Sequence, residues 1–351
     1  MTEAKNNGYS SILVTGGAGF IGSNFVRLLA TERPDARIHV IDALTYAGNL
    51  SNIEDLVKSG RITFRRGDIA NSEDVRLAVP ENCDAVVNFA AESHVDRSLQ
   101  DASAFLRTNI QGTQVLIHQA MQSHVKRFVQ VSTDEVYGSI DAPDSATETS
   151  PLLPSNPYSA SKAGADLLLY SLHHTHGTDI VVTRCTNNYG PYQFPEKLIP
   201  LMITNALEER PLPVYGDGQN IRDWIHVEDH CRGILAALEQ GRSGQVYNFG
   251  GRCEWTNLDL VKKLLDLLNR PHSLITFVKD RLGHDRRYSL AIEKSREELG
   301  WSPRVEFESG LERTVIWYKS QKSWWRSIKS GEYMAYYDAM YSGDHAIHSG
   351  A

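Results

Sequence analysis

The stretch SILVTGGAGFIGSNF, residues 11–25, joins a β-branched apolar run to a run with helical period through Gly16, Gly19 and Gly22. Glycines at that spacing let a strand turn sharply into a helix, and they leave backbone N–H groups and the helix dipole facing a phosphate. A junction of this kind belongs to a parallel sheet whose strands alternate with helices. The chain repeats the alternation. Strand candidates are SILVT (11–15), RIHVID (37–42), ITFRRG (62–67), DAVVNFA (84–90), RFVQVS (127–132) and DIVVTRC (179–185), with helical stretches near 20–32, 101–122 and 157–175. Several of the strand candidates are continuously apolar, as a sheet covered on both faces requires. The fold class read from this pattern is α/β, a Rossmann-type doubly wound parallel sheet.

After about residue 186 the rhythm becomes irregular. Connections such as YGPYQFPEKLIP and LPVYGDGQ interrupt it before a helix near 256–268. Residues 1–186 therefore read as the nucleotide-binding domain, and 187–338 mainly as a smaller C-terminal substrate lobe, some segments of which return to the sheet. Residues 339–351 read as a flexible tail.

A net charge of −7 without any Lys/Arg block argues against a nucleic-acid or membrane surface. An anionic ligand would have to meet local basic residues. The cysteines Cys83, Cys185, Cys231 and Cys253 form no C-x-x-C pair, so neither zinc nor a disulfide framework is expected and a reducing cytoplasm is the natural setting. No apolar run reaches bilayer length, and MTEAKNNGYSS lacks the apolar centre of a signal peptide. His173, His174 and His176 in YSLHHTHG include no pair four apart, so no metal site is assigned to them.

Asp42 ends the second strand candidate, 20 residues beyond Gly22, where an acid can bond the ribose hydroxyls of a dinucleotide. A carboxylate there repels a 2′-phosphate, which favours NAD over NADP. Asp68, after the third strand, faces the adenine edge or caps a helix. Tyr158 and Lys162 in NPYSASKAGAD lie four apart and share a helix face. A free tyrosine titrates near ~10, and a neighbouring ammonium together with a cationic nicotinamide is expected to lower it into the range of a base. In VSTDEVYG, Asp134 and Glu135 stand side by side after the fifth strand. Close like charges resist double ionisation, so one can keep its proton while the other loses it.

Together these motifs resemble the extended short-chain dehydrogenase/reductase superfamily. The segments LVTGGAGFIGSNF, DALTYAGNL, AAESHVDRS, VSTDEVYG, NPYSASKA, NNYGPYQFPEKLIP, YGDGQNIRDWIHVEDH and GHDRRY, from about residue 11 to 325, are similar in kind and order to those of the dTDP-glucose 4,6-dehydratases. The resemblance implies a nucleotide-sugar lyase acting on dTDP-glucose in deoxysugar biosynthesis. By it, Tyr158 with Lys162 takes the C4 hydroxyl proton, Thr133 bonds the C4 oxygen, Glu135 is the base at C5 and Asp134 is the acid for the departing C6 oxygen. It adds Phe20, Ile21, Leu44, Thr45, Ile69, Ala90, Ala91, Ser93, Thr108, Cys185 and Asn187 to the NAD contacts. Arg222, Arg281 and His284 would face the nucleotide diphosphate or its ribose, while Ser93, Asn188, Glu196, Lys197, Leu198, Tyr215 and Asn257 would line the sugar-nucleotide pocket. It also implies a homodimer packed through 101–122 and 157–175. Cys253 and Trp255 depart from the family pattern, since relatives are commonly more polar there. A 4-epimerase would share the glycines, Tyr158 and Lys162 but needs no acid pair at C5 and C6, and a non-catalytic NAD sensor would need neither.

Overall fold

In the computed structural model, which describes residues 8–280 and 282–330, the first apolar run forms β1, Ser11–Thr15, with every residue buried. Its two-residue period divides it between two cores. Ile12 and Val14 pack with Phe25, Val26 and Leu29 of the Phe20–Glu32 helix, while Leu13 joins Val86, Leu116 and Phe128 on the opposite face. Side chains that alternate faces and are all buried demand helices on both sides. Each fully buried Leu, Ile or Phe among them contributes roughly 1.5–3 kcal/mol.

The remaining strands, in chain order, are β2 (Arg37–Asp42), β3 (Ile62–Arg66), β4 (Ala85–Asn88), β5 (Arg127–Val131), β6 (Ile180–Cys185), β7 (Asn187–Tyr189), β8 (Leu212–Tyr215), β9 (Ile221–His226), β10 (Val246–Phe249), β11 (Glu254–Thr256) and β12 (Ile275–Val278). Seven of them form one parallel sheet in the order β10-β6-β5-β4-β1-β2-β3. The order reverses at β1, whose neighbours are β2 and β4, and a crevice opens beyond their carboxyl ends at such a switch point.

The lobe holds a three-stranded sheet, β11-β9-β7, and a parallel pair, β12-β8. Its own core gathers Ile203, Leu212, Leu264, Leu311 and Trp325. Cys253 and Trp255 pack against this core, with Trp255 stacked on Phe307 at 5.4 Å. Their apolar character thus serves the packing of the lobe.

One feature identifies the segments that return to the sheet, and another differs from the sequence reading. The Val227–Gln240 helix and β10 come after the lobe has begun, yet the helix covers the same sheet face as Phe20–Glu32 and β10 forms the sheet edge beside β6. Only four residues, VYNF, carry the β10 signal, too few to stand out from the surrounding loops. The expected 101–122 helix is also not continuous. It begins at Ser103–Phe105, widens through Leu106–Gly112 into turns closed by i→i+5 bonds, and resumes at Thr113–Gln122. Inserted turns of this type often sit at functional sites, and here they bring Asn109 to the Glu92 carbonyl and Ser161 Oγ.

Among the described residues no helix is long and apolar enough to cross a membrane, and no three His, Cys, Asp or Glu side chains are placed to hold a metal. His173, His174 and His176 occupy the last turn of the Pro157–His176 helix. Arg281 and the 339–351 tail lie outside the described residues.

Candidate active site

Gly16 adopts φ +66°, a left-handed conformation that side chains disfavour, and a Cβ there would lie 2.7 Å from the Ala90 amide nitrogen. At Gly22 a Cβ would stand 2.2 Å from the Gly16 carbonyl oxygen. Backbone thus packs on backbone, which is the cradle a pyrophosphate needs. No side chain caps the Phe20–Glu32 helix, the arrangement that keeps first-turn N–H groups available to an anion.

A cavity of about 430 Å³ rises from this turn. Gly16, Gly19, Phe20, Ile21, Gly22, Asp42, Thr45, Asp68, Ile69, Ala90, Ala91, Ser93 and Thr108 line it, and it continues past Tyr158, Lys162, Cys185 and Asn187. Leu44 serves differently. Its N–H donates to Asp42 Oδ1 at 2.8 Å, while Ala18 N–H donates to Oδ2 at 2.9 Å. Burial pushes the Asp42 carboxyl upward, and these backbone bonds pull it back. Asp68 does not cap the helix that follows, because Asn71 does so. Its carboxylate accepts from Ala70 N–H at 2.8 Å and pairs with Arg107 at 2.7 Å.

The chemical centre gathers at the end of β5. Thr133 caps a short 3₁₀ turn, Asp134–Tyr137, that presents both acids. Thr133 Oγ1 donates to Asp134 Oδ1 at 3.3 Å, and Asp134 Oδ2 is buried without a hydrogen-bond partner. Burial first, and the Glu135 charge second, push the Asp134 carboxyl well above the usual range, a direction that favours its protonated form. Glu135 Oε2 accepts from Ser159 Oγ at 3.2 Å. The two acids are thereby set up for opposite roles.

Tyr158 and Lys162 follow from the Pro157–His176 helix, whose start is fixed by Asn156 as cap and Pro157 in the first turn. The expected lowering of the Tyr158 phenol is not what the protein shows by itself. Burial and the Glu135 charge push the phenol well above its ordinary value, and the Thr133 hydroxyl offsets only part of that. Lys162 donates its Nζ proton to the Val131 carbonyl at 2.8 Å, and burial pulls the ammonium down. The ammonium is engaged by the sheet.

A second cavity, about 170 Å³, lies on the lobe side and is lined by Leu198, Tyr215, Arg222, Asn257 and His284. Glu135, Asn187, Glu196 and Lys197 wall both cavities. Asn188 belongs to the first, where His230 Nδ1 meets its side-chain oxygen at 2.9 Å. Arg222 is oriented by the Ile221 carbonyl at 2.7 Å and the Asp285 carbonyl at 3.0 Å, and its guanidinium lies over the Tyr288 ring at 4.4 Å.

Sequence reasoning missed several residues that the fold brings here. Asn109 donates to Ser161 Oγ at 2.8 Å and to the Glu92 carbonyl at 3.0 Å, tying the cavity wall to the Tyr158 helix. Tyr46, under the Arg97 guanidinium at 4.2 Å, and His94, 3.4 Å from Glu196 Oε2, surround the Glu196 carboxyl. No spacing rule links these positions. Their neighbour Glu196 is among the predicted residues, but its character follows chiefly from burial, which with the Asp96 charge pushes it up to about 7 from 4.5 against the pull of Lys197 and Arg97.

That shift has a sign. In the folded chain Glu196 keeps its proton at pH values where the unfolded chain has lost it, so the stabilisation is complete below about 4.5 and disappears as pH rises through about 7. The neutral variant Glu196→Gln is expected to exceed the parent by roughly 3 kcal/mol at pH 8 and by little at pH 4.5. Denaturant midpoints at the two pH values check it, and a pH-independent difference between the two proteins would remove the assignment.

The comparisons with known proteins agree with this geometry. The family described as GDP-mannose 4,6 dehydratase matches residues 13–314. The chain is 54% identical over 319 residues to a dTDP-glucose 4,6-dehydratase of Actinoplanes sp., covering 90% of this chain and 99% of that protein. It is similar in structure to a dTDP-glucose 4,6-dehydratase from Streptomyces venezuelae solved with NAD and TYD bound, with TM-score 0.88, 53% identity, and 91% and 100% of the two chains covered. A UDP-glucose 4-epimerase from Thermotoga maritima shares the fold at TM-score 0.82 and 30% identity, with 89% and 99% covered.

Proposed function

This chain belongs to the family of the dTDP-glucose 4,6-dehydratases, NAD-dependent hydro-lyases, and from that premise we propose how its own residues divide the reaction. The substrate is dTDP-glucose, and the product is the 4-keto-6-deoxy sugar nucleotide with loss of water. The observation that carries the assignment is the pair Asp134–Glu135 beside Tyr158, both acids lining the nucleotide cavity and Glu135 walling the lobe-side cavity as well.

The Gly16–Gly22 turn, Asp42, Tyr158 and Lys162 would hold NAD, and the backbone crowding at both glycines fits a pyrophosphate seat. When bound, NAD supplies the hydride acceptor for C4 and the later donor for C6, and its nicotinamide cation adds the positive charge that lowers the Tyr158 phenol. Tyr158 takes the C4 hydroxyl proton, and Thr133 holds the C4 oxygen. The resulting ketone acidifies the proton on C5 and makes the C6 hydroxyl a β leaving group. Glu135 removes the C5 proton, Asp134 delivers its proton to the C6 oxygen, and water departs. Glu135 then returns a proton to C5. Adjacent acids serve adjacent carbons.

Arg222 and His284, on the lobe side, suit the diphosphate, since a planar guanidinium matches phosphate oxygens. Exposed Leu106, Leu167 and Tyr170 on the 103–122 segment and the Pro157–His176 helix support a homodimer packed through those elements. Light scattering is its check. Four unpaired cysteines support a cytoplasmic setting.

The deciding experiment uses dTDP-glucose deuterated at C4. The product is expected to carry the label at C6, with solvent hydrogen at C5. A label returned to C4 with inversion would identify an epimerase, a rival that shares the fold.

A further inference from the structure

The turn that carries the two acids and the helix that carries Tyr158 and Lys162 come from different parts of the chain, and one buried ion pair joins them. Asp166 follows Lys162 by four residues, so Tyr158, Lys162 and Asp166 lie on one helix face, all buried. Asp166 Oδ2 accepts from Ser132 Oγ at 3.0 Å and from Arg184 Nε at 3.0 Å. Arg184 Nη1 donates to the Tyr137 hydroxyl at 2.8 Å, its guanidinium lies over the Tyr137 ring at 4.9 Å, and the Tyr137 hydroxyl donates to Asn248 Oδ1 at 3.0 Å. Ser132 and Tyr137 bracket Thr133, Asp134 and Glu135. The ion pair therefore grips the acid-bearing turn at both ends, once directly and once through Arg184.

We propose that Asp166 and Arg184 are positioning residues that fix the Thr133–Glu135 turn relative to Tyr158. Neither lines the nucleotide cavity or the lobe-side cavity. Their exposures are 4% and 5%, and a buried pair with one partner on a helix and the other on β6 is not explained by stability, because packed apolar residues would serve a core as well. What charged, directional contacts add is a fixed angle and spacing. The reaction needs that spacing, since the proton acceptor for C4 and the groups for C5 and C6 must act one carbon–carbon bond apart, and a displacement of about 1 Å can cost about 100-fold. The Asp166 charge also opposes the burial that pulls the Lys162 ammonium down.

The inference rests on the dehydratase reading, and one set of assays separates the two. Ser132→Ala removes the direct grip and Tyr137→Phe the hydrogen bond of the relayed one while keeping the ring under Arg184, and each leaves the ion pair and the core volume in place. Each variant is expected to lower kcat about 10-fold and the double variant about 100-fold, with KM for dTDP-glucose within about twofold of the parent. Asp166→Asn should lose at least as much; should it fail to fold for want of a partner for Arg184, the two hydroxyl variants carry the test alone. Thermal unfolding of each variant is recorded alongside, because a purely structural role lowers the melting temperature and leaves kcat of the folded enzyme unchanged. Parental kcat in both folded hydroxyl variants, or a loss confined to KM, overturns the proposal. An inactive parent in the same assay would instead overturn the dehydratase reading.

Discussion

Replacing Glu135 by Gln is expected to stop dehydration while C4 oxidation continues. The amide keeps an oxygen for the bond now accepted from Ser159 Oγ, so the turn should hold its shape. What disappears is the base at C5, and a positioned base contributes about 10²–10⁴-fold. With Tyr158 and Lys162 intact, the sugar should wait on the enzyme as the 4-ketohexose. Quenching with borohydride would reduce that ketone from both faces and release both C4 epimers, and solvent deuterium should fail to enter C5. Removing the Glu135 charge also takes away one of the influences that push Asp134 and the Tyr158 phenol upward, so both groups should titrate lower in the variant. Dehydration at the parental rate in Glu135→Gln would end the paired-acid mechanism.

Tyr158→Phe should block the reaction one step earlier. The ring packs edge-on to Phe105 at 6.3 Å in a small cluster with Val95, and phenylalanine preserves that contact, so loss of activity would not reflect loss of fold. The C4 proton then has no acceptor, and turnover should fall by about 10²–10⁴-fold. No ketone should be trapped by borohydride and no deuterium should enter C5. The two variants thus differ in a qualitative way, one accumulating an oxidised sugar and the other leaving the substrate untouched. A trapped ketone in Tyr158→Phe would mean that another group accepts the C4 proton, and Thr133, beside the phenol, would be the first to examine.

Much of this architecture can be read along the chain because its signals are local. Gly16, Gly19 and Gly22 announce a turn that needs no distant partner to be recognised, and Tyr158 with Lys162 obeys a helix spacing. The acid pair is legible for the same reason, being two consecutive residues. What escapes reading depends on contacts between segments far apart. Asn109 acts through Glu92 and Ser161, and only an irregularity in the helix around it brings it to them. The sequence pairs the Tyr158 phenol with an ammonium and a nicotinamide cation; in the chain by itself the lysine donates to Val131 and burial is the largest influence on both groups. Burial is a property of the whole fold, and no pair of letters encodes it. Arg281 was assigned by resemblance and lies outside the described residues, so Arg222 and His284 are the residues of that set whose surroundings are defined.

The position of β10 bears on how the protein is made. Synthesis proceeds from the amino end, and β6 emerges about sixty residues before the strand that pairs with its outer side. During that interval the nascent sheet ends in an open parallel edge, VVTRC, that can recruit a strand from another chain. One sheet face is only half covered as well, because the helix that joins Phe20–Glu32 on it, Val227–Gln240, has not yet left the ribosome. Slow elongation through residues 186–249 would prolong the exposure, whereas rapid passage would shorten it. Aggregation during expression is therefore expected to depend on translation speed in that stretch more than on the stability of the finished enzyme.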